Sequence, residues 1–274
     1  MAVKIQVLVE DTGSEQLSLG TEHGLSLFVS TPEARFIFDC GATGLAWENA
    51  RRINAPIREA AFVVISHSHY DHAGGFPQLF QWAAPKKLYV GAGFWEEKYA
   101  AGPAGGSFTY LGAGFGEGEL QKFGIAAETV GDVKEVAPGA WLLGNFPRTH
   151  GFETIPRRFV RGEGRAPDDF SDEICLALAE GDGLAVVVGC SHPGILNMVQ
   201  TVRQRLKKPV YSVIGGTHLK EAAEARLDLT LRELKEAGLK RLALCHCAGG
   251  AVRDRLKGEA AGCLLGTGDE LLLA

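Results

Sequence analysis

Apolar positions along the chain gather into short runs bounded by Gly, Asp or Pro. They occur at VKIQVLVE (3–10), LSLFVS (25–30), RFIFD (35–39), AFVVIS (61–66) and KLYVG (87–91), each of strand length. After a central break the series returns as ICLALAE (174–180), LAVVVGC (184–190), VYSVIGG (210–216) and LALC (242–245), with helical patterns around 194–207 and 219–237. The chain therefore reads as two related α/β halves. Strands alternate with helices only in part, which favours a mixed sheet, or two sheets covered by helices, over one fully parallel doubly wound sheet. Two segments read as loops: 100–119, rich in Gly with Phe108, Tyr110 and Phe115, and 144–172, which carries Arg148, Arg157, Arg158, Arg161 and Arg165. Long insertions of this kind serve as lids or substrate loops, or are simply solvated, and the pattern leaves both readings open.

Composition changes the picture mainly by exclusion. With 274 residues, 46% apolar and 22% charged, the chain has ordinary globular usage and enough length for a substantial core. A net charge of −5 gives no global attraction to nucleic acid or to an anionic membrane, so the expected partner is a small molecule held by local groups. The opening MAVKIQVLVE is too short and too soon acidic for a secretory signal. No apolar stretch reaches the roughly eighteen residues that a membrane span needs, and a cytoplasmic location is the expectation. The six cysteines, Cys40, Cys175, Cys190, Cys245, Cys247 and Cys263, show no regular framework, and reduced thiols are expected. VGAGFWE places Glu96 where a dinucleotide fingerprint needs its third glycine, and no Gly-Lys-Ser/Thr phosphate loop occurs.

The strongest chemical signal is VISHSHYDHAGG (64–75), in which His67, His69, Asp71 and His72 crowd the end of an apolar run. An extended backbone sends His67 and His69 to the same side. Asp71 and His72 follow at a turn, before Gly74-Gly75 allow a change of direction and Phe76-Pro77 open a helix, so two adjacent pockets become possible. Imidazoles with a hard carboxylate suit Zn, Fe or Mn in a Lewis-acid centre better than a structural thiolate site. A merely solvated polar loop fits so dense a cluster poorly. His192 in GCSHPG, His218 in GGTHL and His246 in LCHCAGG also sit where strands give way to loops, the edge at which α/β proteins gather their sites. Cys245 and Cys247 have no second Cys pair nearby for a zinc ribbon, and Cys190 is expected to pack beneath the site as a small apolar residue.

His67-Ser68-His69-Tyr70-Asp71-His72 resembles the His-x-His-x-Asp-His signature of the metallo-β-lactamase fold. EHGLS (22–26), IFDCG (37–41), GCSHPGI (189–195), IGGTH (214–218) and CHCAGG (245–250) extend the likeness to the branch that includes 7,8-dihydropterin-6-methyl-4-(β-D-ribofuranosyl)aminobenzene-5′-phosphate synthase. The resemblance implies a four-layer αββα sandwich forming one domain over 1–274, with pseudo-repeated halves of roughly 1–135 and 136–274 and metals at one edge between the sheets. It also implies one or two divalent ions, Zn foremost, with Mn, Fe or Mg as alternatives. His67 and His69 would hold one ion. Asp71 and His72 would hold the second, completed by His246, with His192 as a further ligand. The common pattern has a separate central histidine and a bridging aspartate after a Gly, whereas this chain offers Cys190 and His192. Asp39 resembles the family aspartate that fixes ligand tautomers, its other reading being a strand-terminal turn residue. His23 and His218 lie in branch motifs and are candidates for substrate contact, or satisfied hydrogen-bonding histidines. His150 in PRTHGFE is a candidate for the missing central ligand.

Three functions remain open. A hydrolase would use the metal to activate water and polarise a carbonyl or phosphoryl oxygen, with Asp71 positioning the nucleophile. The branch instead implies a transferase that joins a dihydropterin methyl diphosphate to an aryl acceptor and releases pyrophosphate. Arg148 and Arg157 would suit a phosphorylated substrate in either case, or belong to a solvated basic loop. A metal-binding or oxygen-sensing protein that borrows the fold ranks last. The hydrolase reading is placed first.

Overall fold

The computed structural model describes residues 2–16, 18–103 and 106–273, so that residues 104 and 105 of the Gly-rich 100–119 segment lie outside the described residues. One seven-stranded sheet runs Glu270–Leu273, Val3–Val9, Ser26–Ser30, Arg35–Phe38, Phe62–Val64, Lys87–Gly91 and Ala126–Val130. Its pairing is antiparallel as far as Arg35–Phe38 and parallel beyond. The other seven-stranded sheet runs Lys134–Ala137, Ala140–Leu143, Cys175–Glu180, Gly183–Val188, Val210–Gly215, Arg241–Leu244 and Gly262–Leu264, antiparallel as far as Gly183–Val188 and again parallel beyond. The two sheets thus repeat one plan.

Alternation along the strands builds the layers. Leu27, Val29, Phe36, Phe38 and Val64 of one sheet meet Leu176, Leu178, Ala185, Val187 and Ile214 of the other in a shared buried cluster. The intervening residues Phe28, Ile37, Val63 and Ile65 face outward onto Trp47 of helix Leu45–Arg52 and Phe76 of helix Phe76–Leu79. Val186, Val188 and Val213 do the same against helices Ile195–Leu206 and Glu224–Glu236. A fully buried Leu or Phe contributes about 1.5–3 kcal/mol, so strands apolar on both faces are what a sheet covered on both sides requires. The result is the four-layer αββα sandwich.

Three features depart from the sequence pattern. The final strand, Glu270–Leu273, crosses to pair with Val3–Val9. The helix expected from 219 starts at Glu224. The segments 100–119 and 144–172, read as loops, contribute strands to a third, four-stranded sheet in the order Ala166–Pro167, Phe159–Arg161, Lys98–Ala101, Phe108–Tyr110. These strands have two to four residues each and Phe108–Tyr110 is wholly exposed, so no alternating pattern marks them in the sequence.

A buried ammonium ties this small sheet to the sandwich. Lys98 Nζ lies 2.9 Å from carboxylates of both Asp168 and Asp172, all three side chains essentially inaccessible. Asp172 Oδ2 in turn accepts the backbone N–H of Ser68 at 2.9 Å. Removing the ammonium would leave two buried carboxylates uncompensated. Lys98→Ala is therefore expected to lower stability by about 3–5 kcal/mol, measured as a shift in the urea unfolding midpoint at constant slope; a change below about 1 kcal/mol would rule out this role.

Candidate metal centre

The parallel strands of both sheets deliver their carboxyl ends to one edge. Phe38 pairs with Val64 in register, so the residues just beyond, Asp39 and Ser66, meet. Asp39 accepts the N–H of Ser66 at 2.6 Å and its hydroxyl at 2.8 Å, and it also accepts His72 Nδ1 at 2.7 Å. Strands Gly183–Val188, Val210–Gly215 and Arg241–Leu244 bring up His192, His218 and His246 in the same way. Asp39, Ser191, His218 and His246 all have φ between 48° and 60°, left-handed values that L side chains adopt at a cost of about 1–3 kcal/mol. Local bonds hold them there. Ser191 and His192 N–H groups donate to buried Glu173 at 2.5 and 2.8 Å, and His246 N–H donates to Glu10 at 2.9 Å. Gly189 has no room for a side chain, since a Cβ there would lie 2.1 Å from Ser66 Oγ.

Two groups of donors result. His67, His69 and His192 form one buried triad, and Asp71, His72 and His246 form the other, with candidate ligand atoms inside each within 4.8 Å of one another. In the first, His67 Nε2, His69 Nε2 and both ring nitrogens of His192 are buried without a hydrogen-bond partner. Buried polar atoms are rarely left so, and a cation satisfies them. In the second, His72 Nδ1 donates to Asp39 and His246 Nδ1 donates to Asp11 at 2.6 Å. With both rings neutral, as ligands must be, each Nε2 carries a lone pair, and the two face each other at 3.2 Å with Asp71 Oδ2 3.4 Å from His246. In the metal-free protein a proton held on His246 by Asp11 and Asp71 occupies this point, and a divalent ion would take its place. The donor sets fit divalent metal, and the Nδ1 bonds fix the tautomers that present Nε2 inward.

Electrostatics separate the triads. Burial pushes His67 and His192 well below the ordinary histidine range and His69 down to about 4, so the first triad is neutral and available as ligands. Burial would raise Asp71, yet His72 and His246 outweigh it and hold the carboxyl well below the usual range. Burial lowers His246, but hydrogen bonds to Asp11 and Asp71 reverse the sign and raise it.

A cavity of about 220 Å³ opens onto both triads, lined by His69, Asp71, His192 and His246 and also by Arg158, Phe159, His218, Lys220 and Glu221. Phe170 stacks on His192 with ring centroids 3.6 Å apart, and Phe159 lies 5.4 Å from the same ring. The 144–172 segment thus covers the centre. His23 is half-exposed, 2.9 Å from Asp11 and 3.3 Å from Asp71. His218 lines the cavity with its ring 4.4 Å from His192.

Other residues fall elsewhere. His150 binds Asn197 Oδ1 at 3.1 Å and lines a separate surface hollow, so the third imidazole of the first triad is His192. Arg148 is spent on the backbone carbonyls of His192, at 3.0 Å, and Asp169. Arg157 is exposed and outside the cavity wall. Its neighbour Arg158 reaches the cavity instead, held by a bidentate pairing with Glu221 and lying 4.4 Å over the Phe159 ring. Sequence reasoning missed Asp11, Lys220 and Glu221. An acidic residue at a strand end, such as Asp11, is the one signal available, and it is too common to discriminate.

Asp39 is the bracket between strand end, loop and helix. Asp39→Ala would orphan three buried donors at about 1–3 kcal/mol each and add a left-handed strain that Asp and Asn tolerate. The expected outcome in chemical denaturation of metal-free protein is a loss of at least about 3 kcal/mol for Asp39→Ala and a smaller one for Asp39→Asn; equal losses would contradict the argument.

Comparison with known proteins agrees with this geometry. Residues 19–151 match the model of the metallo-beta-lactamase superfamily. The chain is 29% identical over 260 residues, covering 90% of it and 88% of the relative, to 7,8-dihydropterin-6-methyl-4-(beta-D-ribofuranosyl)-aminobenzene-5'-phosphate synthase of Methanocaldococcus jannaschii. Among solved structures it is similar to Tm1679, described as a metal-dependent hydrolase of the beta-lactamase superfamily, with 26% identity, 98% of each chain covered and a TM-score of 0.83. A diphosphatase from the PhnP family shares the fold at 15% identity and a TM-score of 0.56, over 100% of this chain and 99% of that one. The chain has the metallo-β-lactamase fold, and its residues 19–151 are the part that matches the superfamily model.

Proposed function

We propose that this chain is a metal-dependent enzyme acting on a small anionic substrate, with hydrolytic chemistry as the first reading. The observation that carries it is the convergence of the His72 and His246 Nε2 atoms, 3.2 Å apart beside Asp71, with His246 and Asp71 lining the cavity. His67, His69 and His192 would hold one ion, and Asp71, His72 and His246 a second. A divalent ion bound there supplies Lewis acidity and lowers the pKa of water toward about 7. The protein supplies the rest. Asp39 and Asp11 hold the imidazole tautomers, Asp71 Oδ2 faces the reacting centre beside His23, and Phe159 and Phe170 exclude water from the covered side. Arg158, paired with Glu221, and Lys220 also line the cavity and offer cationic groups to a phosphate or carboxylate, a part first assigned to Arg148 and Arg157.

A second reading, transfer of a dihydropterin methyl group from its diphosphate to an aryl acceptor, is supported by the similarity to the methanogen synthase over 90% of this chain. In that reaction the same cationic groups would hold the diphosphate or an acceptor phosphate. Acceptor dependence separates the two. Turnover of a phosphoester with water alone supports the hydrolase; release of pyrophosphate from the pterin diphosphate only when aryl acceptor is added supports the transferase.

Elemental analysis is the direct test of the centre. His67→Ala and His246→Ala should each lower the metal bound per chain, and chelation should lower the thermal midpoint of the wild type, because an ion bound only to the folded state stabilises it by about 2.7 kcal/mol at a hundredfold excess over Kd. Failure of the wild type to bind zinc, manganese or iron after reloading would sink the enzyme reading. Arg158→Ala should raise KM for a phosphorylated substrate by about tenfold, as for loss of a charge-assisted bond worth about 1.5 kcal/mol, with little change in kcat; an unchanged KM would remove Arg158 from recognition.

A further inference from the structure

The cysteines divide by environment. Cys40, Cys175 and Cys245 each sit in a hydrophobic cluster, and Cys263 packs against one, as small apolar side chains do. Cys190 and Cys247 belong to none of these clusters and instead line the cavity at the metal centre. The expectation that Cys190 packs as an apolar residue beneath the site therefore does not describe its surroundings.

The sulfur of Cys190 lies between the two triads. It is 3.2 Å from His72 Nε2, groups with His67 and His72 within 4.8 Å, and groups again with His246 and Cys247 within the same span. Its position is fixed on either side. Gly189 is wedged against Ser66 and Asp39, and Gly216 packs so tightly that a Cβ there would meet Gly189 O at 2.4 Å and Cys247 Sγ at 2.5 Å. Cys247 is occupied differently: its sulfur accepts the His218 N–H at 3.2 Å and its thiol donates to the Cys190 carbonyl at 3.7 Å. The sulfur of Cys190 neighbours the Cys247 sulfur on one side and, on the other, the His72 ring nitrogen that is aimed at the cation position. Asp71 is moreover the sole carboxylate in the two triads, leaving four metal charges under-neutralised if both pockets fill.

Resting on the metal-enzyme reading, we propose that Cys190 Sγ is a ligand at the boundary of the two pockets, releasing its thiol proton to solvent as the sulfur–metal bond forms. A thiolate there adds the missing negative charge and, as a soft donor, biases the centre toward zinc or iron over magnesium or manganese.

Cobalt(II) loaded into the apoprotein reports sulfur ligation without any assay of activity. The wild type should show a near-ultraviolet thiolate-to-cobalt band that is lost in Cys190→Ser and kept in Cys247→Ser. X-ray absorption of the zinc-loaded wild type should show a sulfur scatterer at about 2.3 Å, which keeps the test intact if Cys190→Ser fails to fold. Bound cobalt with no sulfur band, or a band that vanishes in Cys247→Ser while persisting in Cys190→Ser, overturns the proposal and leaves the metal enzyme standing. Absence of cobalt binding overturns both.

Discussion

His72 and His246 present their Nε2 atoms to each other at 3.2 Å while each commits its Nδ1 to a buried or half-buried carboxylate, Asp39 or Asp11. Two ring nitrogens and the Asp71 carboxylate converge on one point, which holds positive charge as a proton on His246 or as an ion in its place. Much of the surrounding edge serves to hold this arrangement in place. Strand ends carry the donors, carboxylates fix their tautomers, and glycines let the two sheets approach closely enough for donors from both to share a pocket.

Holding that geometry has a conformational cost. Asp39, Ser191, His218 and His246 all occupy the left-handed region at the same edge. Strain of this kind persists where neighbours over-determine the backbone, and here Ser66, Glu173, Cys247 and Glu10 do so through hydrogen bonds to the strained segments. The buried Lys98–Asp168–Asp172 group extends the same principle to the covering segment, linking its position to the Ser68 N–H in the middle of the His-rich loop. Stability of the lid and geometry of the site are therefore coupled through one carboxylate, Asp172.

The covering segment also shows why charge in a sequence is a poor guide to position. Five arginines lie between 148 and 165, and the fold sends them to different tasks: Arg148 to backbone carbonyls, Arg161 to Asp169 and Glu96, Arg165 to the faces of Tyr99 and Phe108, and Arg158 to the cavity. Neighbouring guanidiniums in the turn before strand Phe159–Arg161 take different directions. Arg157 and Arg158 differ by one residue and only Arg158 lines the cavity.

The αββα plan was named only through resemblance; by itself the sequence determined the strand runs that build it and the clustering of His67, His69, Asp71 and His72 after one of them. Those features follow from local pattern: apolar alternation selects strands, and ligand-rich residues within six positions must lie near one another wherever the chain goes. The partners supplied from afar could be named only through resemblance, because nothing in GCSHPG or LCHCAGG alone tells His192 from His246. Tertiary structure decided which triad each one enters, that His150 turns away onto Asn197, that Asp11 and Asp39 brace opposite imidazoles, and that Cys190 faces ligands while Cys175 faces hydrocarbon. These are contacts between residues from 33 to 235 positions apart, or choices of face at a strand end, and both are set by how the elements pack rather than by any run of neighbouring residues.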